Sequence, residues 1–373
     1  MCEDLYITHF LTPLRGALLA QRHYLQIPGS VACQVHYPAA DESFSAVSSK
    51  QPYFRPQAVE GVADYSRTSA ELLQLLTNRQ HPCLINADPR TDKTRTFPVV
   101  VFSHGLGGCM EMYTQLCQQI ASHGFLVFAL EHEDGSGAYA ETNLGDSIFY
   151  KRPDDSPYSR QKVLNFRRSF LHQRTKEVSD VVDAVFNRPE ATCPELQKIL
   201  KSADLDKGVA LVGHSFGGST MVMQAQEYQS QSTSNLKLTQ INSLSILDPW
   251  AFSLEDKVLD AGLSSSMPTL SILSESWLTN PETRQVDHLL RKCEKLDSLY
   301  APRSVHASVA DSVSWLPGFV GRKLYLRGKK EGRFQTITTV AKACVQHIKS
   351  SLGTEIPDQR KFKGLERYTI QNK

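Results

Sequence analysis

The chain has 373 residues, 40% of them apolar and 21% charged, which is enough for a full globular core and too little bias for a disordered or fibrous protein. Its 41 basic residues nearly balance 39 acidic ones, so no large field exists to attract nucleic acid, and none is expected as a partner. The eight cysteines (Cys2, Cys33, Cys83, Cys109, Cys117, Cys193, Cys293 and Cys344) are scattered, with no Cys-x-x-Cys pair and no zinc-site spacing, so they read as reduced, packed thiols and no metal is expected.

The N-terminus, Met1-Cys2-Glu3-Asp4-Leu5, lacks the basic and apolar regions of a signal peptide, which predicts a cytoplasmic location. No stretch reaches the roughly 18 to 20 apolar residues that span a bilayer, and Cys2 stands where myristoylation needs glycine, so any membrane contact is peripheral. Residues 5–20 carry leucines at helical spacing, interrupted by Pro13, and read as core packing rather than an anchor. Antiparallel strands are predicted over 24–37 around the turn Pro28-Gly29. Residues 41–94 are long and polar, a loop-rich segment with a helix near 63–78.

The run Phe97-Pro98-Val99-Val100-Val101-Phe102 is continuous and β-branched, as in a strand buried on both faces of a parallel sheet. After Ser103-His104-Gly105-Leu106-Gly107-Gly108 the pattern predicts a helix over 112–122, a strand over 125–130 and a helix over 173–186. A strand over 209–212 enters Gly213-His214-Ser215-Phe216-Gly217-Gly218, followed by a helix over 219–228 and strands over 244–247 and 269–273. Residues 359–373 read as a frayed polar tail. The alternation of strand and helix predicts a single α/β domain over 1–373. With Gly213-x-Ser215-x-Gly217 at a strand-to-helix junction, its expected form is an α/β-hydrolase fold with a mostly parallel central sheet flanked by helices and antiparallel N-terminal strands.

Gly213-x-Ser215-x-Gly217 at a strand-to-helix junction has the form of a nucleophile elbow. A serine on so tight a turn leaves room only for hydrogen two residues to either side, and the two glycines supply it. An oxyanion hole needs two amides aimed at one point. Here they are Phe216, after the nucleophile, and Leu106, in the glycine loop that follows an earlier strand.

In this fold the chain order is serine, acid, histidine, which limits the base to His288, His306 or His347. The first and last fall on predicted helices, whereas His306 lies in the predicted loop 302–308, so His306 is the expected base. The acid should follow an apolar strand. Asp248 does so in Leu247-Asp248-Pro249-Trp250, with Glu275 after the next strand as its rival, and Asp287 and Asp311 are weaker by position.

Several segments resemble the platelet-activating factor acetylhydrolase family, which holds lipoprotein-associated phospholipase A2 and the intracellular type II enzyme. They are Phe102-Ser103-His104-Gly105-Leu106-Gly107, Glu131-His132-Glu133-Asp134-Gly135-Ser136, Gly213-His214-Ser215-Phe216-Gly217-Gly218, Leu247-Asp248-Pro249-Trp250, and Ser304-Val305-His306 with Ala310-Asp311. The resemblance implies Ser215 as nucleophile, Asp248 as acid and His306 as base, with the amides of Leu106 and Phe216 as the oxyanion hole. It also implies calcium-independent release of short or oxidised sn-2 acyl groups from phosphocholine lipids, with a phospholipid as substrate and no cofactor. Glu133 stands where the family usually has Arg, Ala307 where Gln often follows the histidine, and 229–240 has the look of an insertion. These departures bear on acyl and headgroup preference.

Two other readings use the same residues. A carboxylesterase of the dienelactone hydrolase or cutinase-like type shares the triad chemistry and differs only in its pocket, and a non-catalytic lipid-binding scaffold would keep the fold alone. The segment 315–320, followed by Arg322, Lys323, Arg327, Lys329 and Lys330, suits either a lipid surface or a packed core with a solvated basic face. No protein partner is predicted.

Overall fold

The computed structural model describes residues 20–26, 30–40, 52–78, 84–85, 88–91, 96–153, 159–187, 193–231, 241–332, 334–354 and 362–371. Residues 5–19 of the predicted first helix, the Pro28-Gly29 turn and most of the 229–240 insertion lie outside them.

The strands are β1 (Ala20–Gln26), β2 (Ala32–Pro38), β3 (Leu84–Ile85), β4 (Phe97–Ser103), β5 (Leu126–Leu130), β6 (Tyr139–Glu141), β7 (Ser147–Phe149), β8 (Ala203–His214), β9 (Ile241–Leu247), β10 (Thr269–Ser274), β11 (Leu296–Ala301) and β12 (Glu366–Arg367). The helices are α1 (Pro56–Ser66), α2 (Ala70–Thr77), α3 (Thr114–Ala121), α4 (Arg160–Phe186), α5 (Pro194–Leu200), α6 (Phe216–Gln231), α7 (Asp256–Ala261), α8 (Thr283–Leu290), α9 (Gly318–Lys323) and α10 (Gln335–Ser351). Ten strands form one sheet in the order β12-β11-β10-β9-β8-β4-β5-β2-β1-β3, and β6 pairs with β7. From β5 through β4, β8, β9 and β10 to β11 every neighbour is parallel; β1 and β2 pair antiparallel as the sequence predicts, and β2 also pairs antiparallel with β5.

The valine run of β4 is buried on both sides because each face of the sheet carries helices. Val99 and Val101 face one cluster with Leu171 and Val178 of α4 and Met221 and Val222 of α6. Val100 and Phe102 face the other, with Leu116 and Ile120 of α3 and Val340 and Ile348 of α10. Period-2 alternation therefore sends successive valines to different layers.

Some elements differ from expectation. The strand β11 is absent from the sequence reading because Leu296–Ala301 buries only Leu299 and Ala301 and shows no apolar run. The tail read as frayed instead returns to the sheet, where Tyr300 and Leu299 of β11 pair antiparallel with Glu366 and Arg367 of β12. The segment read as loops with one helix holds two, α1 and α2, and α4 begins well before the predicted residue 173. Among the described cysteines, Cys33, Cys109, Cys117, Cys193, Cys293 and Cys344 are free thiols, and burial pushes the Cys344 thiol up to about 12.

Asp311 ties three segments together. It is fully buried, accepts from Tyr53 Oη at 2.5 Å, and caps α3 through the Gln115 amide at 3.3 Å. Burial pushes its carboxyl up to about 8, so it stays protonated in the fold at neutral pH, while the unfolded chain ionises near 3.8. Between those values the unfolded state releases a proton that the fold keeps, so stability falls as pH rises through this window. Asp311→Asn keeps the shape and cannot ionise. Its stability relative to wild type should grow between about pH 5 and about pH 8, by on the order of a few kcal/mol, in paired urea unfolding curves.

Candidate active site

The strand β8 ends at His214 and α6 starts at Phe216, which leaves Ser215 alone on the turn with φ 57°. This left-handed conformation strains a non-glycine residue, and the surrounding backbone holds it in place: the Ser215 amide donates to the Leu247 carbonyl at 2.9 Å, and the Trp250 amide donates to the Ser215 carbonyl at 2.9 Å. Gly217 is required sterically, since a Cβ there would lie 2.1 Å from the Ser103 carbonyl oxygen of β4. The elbow and the end of β4 are thus pressed together, and the glycine loop that follows β4 lies against the serine. A Cβ on Gly105 would meet Ser215 Cβ at 3.1 Å.

His306 Nε2 lies 2.9 Å from Ser215 Oγ, and His306 Nδ1 lies 3.2 Å from Asp248 Oδ2. Asp248 follows β9 with φ 43° and is itself held by the Ser274 amide, which donates to Oδ1 at 2.6 Å. The His306 loop carries a third left-handed residue, Arg303, at φ 65°. The other candidates lie elsewhere. Glu275 accepts from the Arg303 amide at 2.6 Å, Asp287 accepts from Tyr368 Oη at 3.1 Å, His288 meets Asp260 at 2.8 Å on the surface, and His347 faces Asp297 at 3.7 Å.

The glycine loop is pinned on both sides of Leu106. The Gly105 amide donates to Tyr113 Oη at 3.3 Å and the Gly107 amide to the Ser136 carbonyl at 2.8 Å. Among the described residues no protein acceptor meets the Leu106 amide. From Tyr113 the chain of bonds continues to the base: Tyr113 Oη lies 2.8 Å from His214 Nδ1, and His214 Nε2 lies 3.1 Å from the His306 carbonyl oxygen. A carbonyl only accepts, which assigns the His214 proton to Nε2 and makes Tyr113 the donor to Nδ1. Burial, and then the neighbouring His306, push the His214 imidazole well below its ordinary value and keep it neutral in this role.

Arg174 of α4 lies under the same loop with no exposed side-chain surface. Its Nη1 donates to the His104 carbonyl at 2.7 Å, its Nε to Asp134 at 3.1 Å and Ser136 at 2.8 Å, and its guanidinium covers the Phe216 ring at 4.8 Å. One buried cation therefore touches both segments that carry the candidate oxyanion amides. Burial, then the Arg174 charge, push His104 down to about 3.

A second Ser-His-acid arrangement lies in the same layer. Ser103 Oγ is 2.8 Å from His132 Nε2, and His132 Nδ1 is 2.6 Å from Glu177 Oε2. Ser103 and His132 are fully buried, so no ester reaches them, whereas the His306 side chain is 36% exposed. Sequence reasoning missed Arg174 and Glu177, although both lie at the start of the predicted helix. Their partners His104, Asp134 and His132 lie 40 to 70 positions away, so no local signal marked them.

Ligand atoms of His214, Asp248 and His306 lie within 4.8 Å of one another, a grouping that resembles a metal site. The hydrogen bonds above already use both His214 nitrogens and both His306 nitrogens, so a metal there would displace them.

A mostly parallel sheet, with a serine elbow at the end of one strand and a histidine and aspartate brought in from later strand ends, defines a serine hydrolase of the α/β-hydrolase fold. A ferulic acid esterase from Streptomyces cinnamoneus superimposes with a TM-score of 0.65 at 16% identity, covering 95% of this chain and 97% of that one. Residues 27–365 match the model of the family described as platelet-activating factor acetylhydrolase, isoform II, and the chain belongs to that family. It is 25% identical over 343 residues to a platelet-activating factor acetylhydrolase of Cavia porcellus, covering 86% of this chain and 72% of that one. The Bos taurus protein of the same name is 31% identical over 190 residues, covering 48% of this chain and 40% of that one. Family and fold together make the chain an ester hydrolase.

Proposed function

We propose that the chain hydrolyses the sn-2 ester of glycerophosphocholine lipids whose sn-2 chain is short or oxidised, such as the acetyl ester of platelet-activating factor, with Ser215 as nucleophile. The observation that carries this reading is the line Asp248–His306–Ser215, at 3.2 and 2.9 Å, ending on a left-handed elbow in a chain of this family. His306 takes the Ser215 proton as Oγ attacks the ester carbonyl, and Asp248 holds the tautomer that makes Nε2 the acceptor. The oxyanion is received by the amides of Leu106 and Phe216. Collapse releases the lyso-lipid, which leaves with the proton from His306. Water, deprotonated by the same base, then frees the acyl group and restores Ser215. Every step uses groups of the chain and none calls for calcium.

No helix of the described residues is long and apolar enough to cross a membrane. Peripheral contact with a lipid surface is supported by large apolar side chains left exposed on and beside two helices: Leu72 and Leu75 on α2, and Phe319 on α9 with Leu324 and Tyr325 just beyond it. Arg322 and Lys323 stand among the second group and would face anionic headgroups. The free thiols support a cytoplasmic location.

The test is calcium-free acyl release from phosphatidylcholines whose sn-2 chain runs from acetyl to palmitoyl. Turnover should be confined to short or oxidised chains. Brisk cleavage of simple soluble esters with no phospholipid turnover would reject the lipid substrate and leave a general carboxylesterase.

A further inference from the structure

The candidate base has an aromatic neighbour whose role the hydrogen bonds do not cover. Trp277 stacks on His306 with ring centroids 4.5 Å apart and planes 19° from parallel. It belongs to the one-turn helix Glu275–Trp277 that follows β10, the strand whose last residue, Ser274, holds Asp248. Bonds to its main chain fix the turn: Thr283 Oγ1 and the Asn280 amide donate to the Trp277 carbonyl at 2.6 and 2.9 Å. The indole Nε1 has no hydrogen-bond partner among the described residues, so the ring is not oriented by its own polar atom. What it presents to His306 is its face.

We propose that Trp277 is a positioning residue of the base, holding the imidazole ring over Ser215 with its π face and favouring the imidazolium that exists while the Ser215 proton is transferred. The inference rests on the reading of His306 as base. Two physical effects of such a ring have opposite sign. The negative face of an indole attracts a cation, which favours imidazolium. Covering the imidazole from water disfavours the same charge. The stack keeps the imidazole over the indole face at 4.5 Å, within the range of the first effect, which the proposal takes to outweigh the second.

Substituting Trp277 removes none of the other titratable or charged groups around His306. They are Asp248 from the end of β9, His214 from the end of β8, Glu275 in the Trp277 turn, Arg303 in the loop before His306, and Glu331, which accepts from Ser308 Oγ. From α10, Thr336 and Val340 line the cavity on that side, and neither titrates.

The test is the rate of fluorophosphonate labelling of Ser215 across roughly pH 5 to 9 in wild type, Trp277→Phe and Trp277→Leu, since this reaction needs neutral His306 and no lipid. Phe keeps a π face, whereas Leu keeps only the apolar cover. The acid midpoint of the Leu variant should fall by about half a unit to one unit, and its plateau rate by about threefold to thirtyfold, with Phe between Leu and wild type. A midpoint that rises in the Leu variant, or Phe and Leu variants that behave alike, would overturn the proposal and leave Trp277 as a hydrophobic cover. Wild type that does not label at Ser215 would overturn the reading of the base as well, and so marks that separate failure. A readout that needs no Trp277 variant is tryptophan emission. Protonated His306 should quench Trp277 with the midpoint of the labelling curve, and the transition should vanish in His306→Gln. An emission that ignores this titration would also overturn the proposal.

Discussion

Ser215→Ala should lower ester turnover by roughly 10⁴- to 10⁶-fold while leaving thermal unfolding within about 1 kcal/mol of wild type. The reason is local. Only Oγ is removed, and the bonds that hold the elbow run through the Ser215 amide and carbonyl, to Leu247 and from Trp250, which alanine keeps. Alanine is no more strained than serine at φ 57°, so the fold carries the same cost in both. Turnover of p-nitrophenyl acetate beside a thermal melt checks both halves. Activity kept at more than about one part in a hundred would point to another nucleophile.

The second large effect belongs to Arg174. Arg174→Met removes the donor to the His104 carbonyl and leaves buried Asp134 with, among the described residues, only the Ser136 amide and hydroxyl as hydrogen-bond partners. Breaking a buried pair on one side costs about 3–5 kcal/mol, because the remaining charge is stranded. Turnover should fall by about tenfold to a hundredfold as well, through kcat more than KM, since the loop carrying the Leu106 amide loses a tether that matters most when the oxyanion forms. The double variant Arg174→Met/Asp134→Leu removes both charges. It should recover part of the stability in urea without recovering turnover. Recovery of both together would mean that Arg174 acts only through the fold.

Legibility in the sequence followed the range of the interactions. The tight turn at Ser215 needs glycine at Gly213, where a Cβ would meet the Gly217 carbonyl, so that steric necessity is written in adjacent letters, and the valine run of β4 announces burial on two faces in the same way. The strand β11 was not legible, because an edge-side strand with half-buried faces carries no apolar run. Nor was the return of residues 366–367 to that strand, since short polar pairing at a sheet edge has no composition of its own. The two helices in residues 52–78 were blurred into one because the break between them, at the left-handed Arg67, carries no glycine or proline to announce it.

By itself the sequence determined the alternation of strands and helices, the serine on its elbow, the glycine loop before it, and a short set of acids and bases. These depend on neighbours within about one turn of chain and on which faces must be apolar. Which acid meets which base is a matter of strand order. The parallel neighbours β8, β9 and β10 bring Ser215, Asp248 and the Asp248 support Ser274 to adjacent strand ends, and leave Glu275 turned to the Arg303 amide. The same holds for the layer beneath. Arg174 is one charged residue of a long helix until the fold lays α4 under the glycine loop, and Trp277 and His306 are 29 positions apart until β10 and β11 lie side by side. Contacts between distant segments leave no local pattern, because their energy is collected only after the whole sheet has assembled.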